Sequence, residues 1–270
     1  MNMKVLTTVF LVALSAATRA DDAREQAAHI VAQIQHGDYA GDQAAMQKGY
    51  DELTPFLENK ELVSRIRYWR GFAQWRRAIN GFNDKVDPKK LEGQLNLALD
   101  EFKAALEIDP KFVDAKVGTI SCTGFLFFVH KEDEAHRKER RARIMALLKE
   151  ADEMAPDNPR LIWVHGPIYW NTPVGQGGGQ DKMIQVFEKA VEHCSYVVPR
   201  SEDALEPAWG KPELLMSLAY AHMNKKTPDP SAAEPYARRA LELVPYWHYT
   251  RDVLLPQILA AKAKTAQSTP

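Results

Sequence analysis

From Asp22 onward the apolar residues return every three or four positions, and Val, Ile and Thr never alternate with polar residues long enough to propose a strand. That period predicts helices over 22–36, 42–58, 62–82, 88–108, 111–130, 134–154, 159–170, 180–195, 211–224, 231–243 and 248–264. Asp87-Pro88 and Asp229-Pro230 read as junctions where one helix stops and the next starts. Pro167 follows Gly166 inside a helix and removes a backbone donor, which predicts a kink or a shifted helix start there.

One phrase recurs along this pattern. It reads EFKAALEIDP at 101–110, LLKEADEMAP at 147–156, FEKAVEHCSYVVP at 187–199 and YARRALELVP at 236–245. Each copy carries a small residue where two helices must approach closely: Ala105, Ala151, Ala190 and Ala240. Five residues later Pro110, Pro156 and Pro245 stop the helix, whereas the third copy has Ser195 there. The alanines are 46, 39 and 50 residues apart, so the units are alike in build and unequal in loop length. A fixed phrase at such periods marks a helical solenoid.

The phrase resembles the second helix of the tetratricopeptide repeat (TPR) family: a late small residue, a proline, then a first helix with a bulky residue and a Gly or Ala. Residues 156–199 match best. Asn158-Pro159 suits a helix cap and first helical position, and Ile162, Gly166 and Tyr169 fall at the large, small and large positions. The last copy fits with Leu215, Leu218 and Ala219 before Ala233, Ala237 and Ala240; His222 departs from the usual bulky apolar residue. The unit ending at Pro110 is degenerate. With Gly71 as its small position, Arg67, Arg70 and Gln74 fall where packed residues belong, and the face Tyr68, Gly71, Trp75, Ile79 and Phe82 restores helical spacing. The resemblance covers residues 61–245. It implies an all-α, right-handed helical-hairpin solenoid of about four degenerate TPR-like units, with extra N-terminal helices over 21–60. Residues 246–270 would form a capping helix and a frayed tail.

The first twenty residues break the helical-repeat pattern. A short basic start ends at Lys4, a run of apolar and small residues spans Val5 to Ala17, and Thr18 and Ala20 precede a cut before Asp21. This is the three-part form of a secretory signal peptide, and the apolar run is too short to span a bilayer. The expectation is a periplasmic or secreted chain with no integral membrane segment after cleavage. Composition agrees: 45% hydrophobic and 26% charged residues with a net charge of -1 describe an ordinary globular chain with no global pull toward nucleic acid. The basic run His136 to Arg143 sits beside acids at 131–134 and reads as a solvated helix face, with Asp133 and Glu134 pairing to Arg137 and Lys138.

No catalytic motif, metal-ligand spacing or cofactor motif emerges; the eight histidines are scattered without ligand spacing, and His165 or His193 with nearby acids is what an unfamiliar enzyme site would use. Cys122 and Cys194 read as buried and unpaired, because their places in the stack keep them apart. Binding chemistry remains. Aromatic residues concentrate on the first helices of units, and in the resembled family those helices line the concave surface. Tyr68, Trp75, Trp163 and Trp170, with Asn171, are the concave-face candidates, since they flank the small position by about one turn. Phe125, Phe127 and Phe128 form another aromatic set, and Tyr246, Trp247 and Tyr249 a further one. Arg65, Arg67, Arg70, Arg76 and Arg77 surround the first set, which would suit a ligand bearing carboxylates. The insertion around GQGGG places Gly177, Gly178 and Gly179 before a helix N-terminus, with Lys182 nearby. A tight connection is one reading of it and an anion site the other. The whole points to a non-catalytic, exported adaptor that holds a peptide or protein partner in its groove. The alternative is a periplasmic small-ligand module associated with solute transport, its ligand a small carboxylate.

Overall fold

The computed structural model describes residues 3–129, 134–194 and 204–268; the side chains of residues 3–21, 128–129 and 266–268 lie outside the description. The signal-peptide side chains, Phe128, Asp133 and Ser195 therefore fall outside it. Among the described residues there are eleven α-helices and no strand: α1 (Met3–Ala40), α2 (Gln43–Glu52), α3 (Val63–Asn83), α4 (Pro88–Ile108), α5 (Val113–Val129), α6 (Glu134–Met154), α7 (Pro159–Asn171), α8 (Gln180–His193), α9 (Lys211–Asn224), α10 (Pro230–Leu243) and α11 (Leu255–Ser268).

The starts of these helices follow from their caps. Asp42, Asp87, Asn158 and Asp229 each accept backbone N–H groups of the first turn. In the last three a proline follows at the first helical position, where its missing donor is harmless. Two expectations shift. The helix expected over 42–58 ends at Glu52, because Pro55 sets up a separate 3-10 turn, Thr54–Glu58. The helix expected to end near 36 runs on to Ala40 and stops where Gly41 turns into the left-handed region at φ 74. Pro167 sits inside a continuous α7.

Consecutive helices pack as pairs, α1 with α2, α3 with α4, α5 with α6, α7 with α8 and α9 with α10, and α11 covers α10 at the end. The odd-numbered helices also touch in series from α1 to α9, so they form one continuous inner layer. This is the expected all-α solenoid.

Small residues set the spacing. Ala105, Ala151, Ala190 and Ala240 are all buried. Three residues before each of the first three stands a large side chain, Phe102, Leu148 or Phe187, also buried. Phe102 on α4 fits only because Gly71 on α3 and Gly118 on α5 leave room. A Cβ at Gly71 would lie 2.7 Å from the ring, and one at Gly118 2.4 Å. Phe187 meets Gly166 in the same way, at 2.6 Å. In the last unit His222 fills the bulky slot by stacking on Tyr236, with ring centroids 5.6 Å apart.

Arg67 and Arg70, which looked misplaced on a packed face, are there for a partner. Both bind the buried Glu101 of α4, Arg67 at 2.9 Å and Arg70 at 2.7 Å. Arg70 also reaches the Tyr50 carbonyl and the Thr54 hydroxyl beyond α2. A buried charge is tolerated when its hydrogen bonds are complete.

The glycine–phenylalanine fit makes a prediction. Gly118→Ala should cost about 1–3 kcal/mol in urea unfolding followed by circular dichroism, and shortening the ring with Phe102→Leu should return part of that loss. Additive losses in the double variant would show that the two positions do not share one space.

Candidate functional site

The inner layer brings the aromatic residues together but does not leave them open. Just before α9, residues 204–210 lie across the odd-numbered helices. Pro207 and Gly210, the latter at φ 132, keep this stretch out of a helix. Leu205 and Trp209 are buried beneath the surface. The Trp209 ring stands 5.6 Å from Trp75, 5.8 Å from Trp163 and 5.9 Å from Phe72, centroid to centroid. Its indole N–H donates to the Tyr68 hydroxyl at 2.9 Å.

The backbone of this strap is held as well. The Trp69 indole N–H donates to the Leu205 carbonyl at 2.8 Å, and Arg160 Nη1 donates to the Trp209 carbonyl at 2.8 Å. Arg65 Nε pairs with Glu206 at 2.6 Å, while its Nη1 pairs with Asp109 at 2.8 Å and its guanidinium lies 3.9 Å from the Phe112 ring centroid. Arg160 is itself fixed by Asp114.

Behind Trp209 lies a buried polar cluster that ties the first helix to the ninth. Arg76 Nε binds Asp38 at 2.7 Å and Arg76 Nη2 approaches Glu213 to 3.9 Å. Tyr39 donates its hydroxyl to Glu213 at 2.7 Å, and the Gly210 N–H donates to the other carboxylate oxygen at 2.8 Å. Burial raises the Glu213 carboxyl above the usual carboxylate range, partly offset by Arg76. Burial, reinforced by Glu213, raises the Tyr39 phenol well above its ordinary value. The same end of α1 meets the C-terminal segment, with His36 stacked on Tyr246 at 4.5 Å and Tyr39 against Trp247 at 5.0 Å. The solenoid therefore closes across its own inner layer.

This geometry revises several expectations. Tyr68 and Trp75 do face inward, but both are fully buried under the strap and present no open surface. Trp163 is half-buried beside Trp209 and donates to Ser217 at 3.0 Å. Trp170 is half-buried and packs with the cluster around Phe187 instead of joining that set. Asn171 is exposed and donates to the Pro167 carbonyl at 2.6 Å. The arginines around the first set find their carboxylates within the chain, at Asp38, Glu101, Asp109, Glu206 and Glu213. Arg77 contacts Gln47 and Gln74.

The glycine loop is a tight connection. Gly177, Gly178 and Gly179 donate their N–H groups to the carbonyls of Val174, Pro173 and Tyr169. They are turned inward on the loop and do not converge on an anion, while Asp181 already places a negative charge at the α8 N-terminus. Lys182 is exposed.

The cysteines are free: Cys122 is buried, as expected, but Cys194 is half-exposed. His165 contacts Asp152 at 2.9 Å, and that carboxylate is 47% exposed, so the pair does not form a buried catalytic dyad. Glu134 pairs with Arg137 at 3.7 Å on the basic face of α6. Among the described residues no group of His, Cys, Asp and Glu could hold a metal ion, and no helix is long and apolar enough to cross a membrane.

Surface clefts lie outside the strap. One, of about 390 Å³, lies between α6 and α7 and is lined by Met145, Leu148, Ile168 and His165. Another, of about 380 Å³, lies among Phe82, Val86, Leu91 and Phe125 at the ends of α3 and α5, with Lys85 at its edge.

Sequence reasoning missed the strap, its residues Leu205, Glu206 and Trp209, and the cluster of Asp38, Tyr39 and Glu213. The one signal for the strap is a tryptophan in a stretch broken by Pro207, Gly210 and Pro212, since a large aromatic in a non-helical connection needs cover.

The sequence matches no family model and no curated protein. Among solved structures, the HusA haemophore from Porphyromonas gingivalis is similar with a TM-score of 0.54 at 17% identity, covering 73% of this chain and 93% of that one. At that identity the likeness is one of fold. The yeast Tom70 crystal structure aligns over 84% of this chain and 53% of its own at 12% identity, with a TM-score of 0.33 that is too low for structural inference.

The cluster behind the strap carries a pH prediction. A carboxyl raised in the folded state holds its proton more tightly there than in the unfolded chain. Its contribution to stability is therefore complete below the ordinary carboxylate pKa, about 4.3, and falls as pH climbs toward the raised value. Glu213→Gln removes this titration. The melting temperature of the variant minus that of the wild type should rise between pH 4 and pH 7. A difference that stays flat or falls over that interval would contradict the assignment.

Proposed function

We propose that this chain is an exported, non-catalytic scaffold whose inner aromatic face receives an extended peptide or protein segment. The observation that carries this reading is the manner in which residues 204–210 are held. Two of their carbonyls accept from inner-face side chains, an indole enters an aromatic box, and a carboxylate meets an arginine. Backbone-directed hydrogen bonds of this kind hold a segment of any sequence, while the aromatic pocket and the arginine supply selectivity. The strap occupies the face in this state, so a partner must compete with it. Export draws its support from the basic start, apolar run and small-residue exit of residues 1–20.

A second reading, carriage of a small apolar or carboxylate-bearing ligand, draws on the fold shared with a haemophore and on the apolar α6–α7 cleft beside His165.

A peptide library displayed against the full chain with its strap loosened by Trp209→Ala separates the two. Enrichment of extended peptides, lost again when Trp163→Ala is added, supports the scaffold. No enrichment in a folded variant, together with a melting-temperature rise for haem or a single carboxylate that disappears in His165→Ala, moves the function to the cleft. Export predicts that the protein recovered from the periplasm or medium begins at Asp21, as read by intact mass; an uncleaved mass would remove that part.

A further inference from the structure

We propose that the inner face is selective for non-helical segments with a carboxylate three residues before a tryptophan, and that residues 204–209 are the built-in stand-in for such a partner. This rests on the peptide-binding reading above and specifies its ligand.

Three features of the strap's seat define the selectivity. The first is indifferent to side chains. Trp69 Nε1 and Arg160 Nη1 donate to carbonyls four residues apart, which holds the backbone of a turn-like, non-helical segment whatever sequence it carries. The second selects the aromatic. The box of Phe72, Trp75 and Trp163 ends at the Tyr68 hydroxyl, which takes the indole N–H at 2.9 Å. A phenylalanine would fill the box and leave that buried hydroxyl without its donor, a loss that discriminates more strongly than a missing methylene. The third selects charge. Arg65 is held by Asp109 on one side and offers its Nε to Glu206 on the other. Glu206 is 50% exposed, so this contact is screened by salt and contributes less than the indole.

The strap's advantage over a free peptide is its tether. A covalently attached segment sits at an effective concentration of roughly millimolar for a short flexible link. A free peptide with the same contacts is therefore excluded from the wild type and admitted once the indole is removed.

The test uses a fluorescein-labelled peptide with the sequence of residues 204–210, titrated by anisotropy into full-length wild type and Trp209→Ala. The expected result is saturable binding to the variant, at least about tenfold tighter than to the wild type. Phenylalanine in place of the peptide tryptophan should weaken binding by about tenfold. Glutamine in place of its glutamate should weaken it several-fold at low salt, with the difference shrinking at high salt. A folded variant that binds the peptide no better than the wild type, or binds equally well a peptide with alanine for tryptophan, overturns the proposal. Should Trp209→Ala not fold, Trp209→Leu carries the same titration with the same two outcomes. Library enrichment of peptides lacking both the acid and the tryptophan would leave the scaffold reading in place and remove this selectivity; no enrichment at all would remove the scaffold reading itself.

Discussion

The burial of one indole, Trp209, is the contact on which the arrangement depends. Tyr68, Phe72, Trp75 and Trp163 converge on the inner layer, and without a cover they would form a continuous wet apolar patch of the kind that soluble proteins seldom leave exposed. A stacked solenoid of hairpins has no neighbouring unit on that side to supply the cover. The chain supplies it from the connection between α8 and α9. Truncating a buried tryptophan typically costs about 3–5 kcal/mol, a large share of the stability of a domain this size.

Around that contact the charges are arranged to be used internally. Arg76 bridges Asp38 from the first helix toward Glu213 from the ninth, and Arg160 joins Asp114 to the strap's own carbonyl. Each guanidinium is buried beside aromatic rings and a carboxylate, an environment that suits arginine better than lysine because the planar fork satisfies several acceptors at once. Removing one member of such a group leaves the others buried and unpaired, so these pairs specify the geometry more than they add to net stability. The glycines act at the same level. Gly71, Gly118 and Gly166 let phenylalanines from the outer helices approach the inner ones, and the inner layer keeps its register as a result.

Local signals were the legible ones. The caps at Asp87, Asn158 and Asp229 and the small residues Ala105, Ala151, Ala190 and Ala240 act within a helix or across one hairpin, and the helical period with its recurring phrase places them. Gly118 escaped notice because the ring it admits, Phe102, belongs to the preceding hairpin and not to its own partner α6, although it does for α5 what Gly71 and Gly166 do for their helices. The arginines of α3 left a carboxylate ligand open as their partner because their own carboxylates lie far off in sequence: Glu206 is 141 residues from Arg65. The strap has no period at all, and Tyr39 and Glu213 are 174 residues apart, so no window along the chain shows them together. The glycine loop was open to two readings. Its composition suited an anion as well as a tight connection, but Gly177 and Gly178 close turns within the loop and the Gly179 N–H returns to the Tyr169 carbonyl of α7.

The contact of His36 and Tyr39 with Tyr246 and Trp247 bears on how the chain assembles. Hairpin repeats ordinarily add one after another, each needing only the neighbour already made. Here the end of the first helix finds partners about two hundred residues further along the chain. The early helices dock on α3 from local chain alone, but their contact with Tyr246 and Trp247 waits for every hairpin in between, so joining them is a late step that assembly has to accomplish.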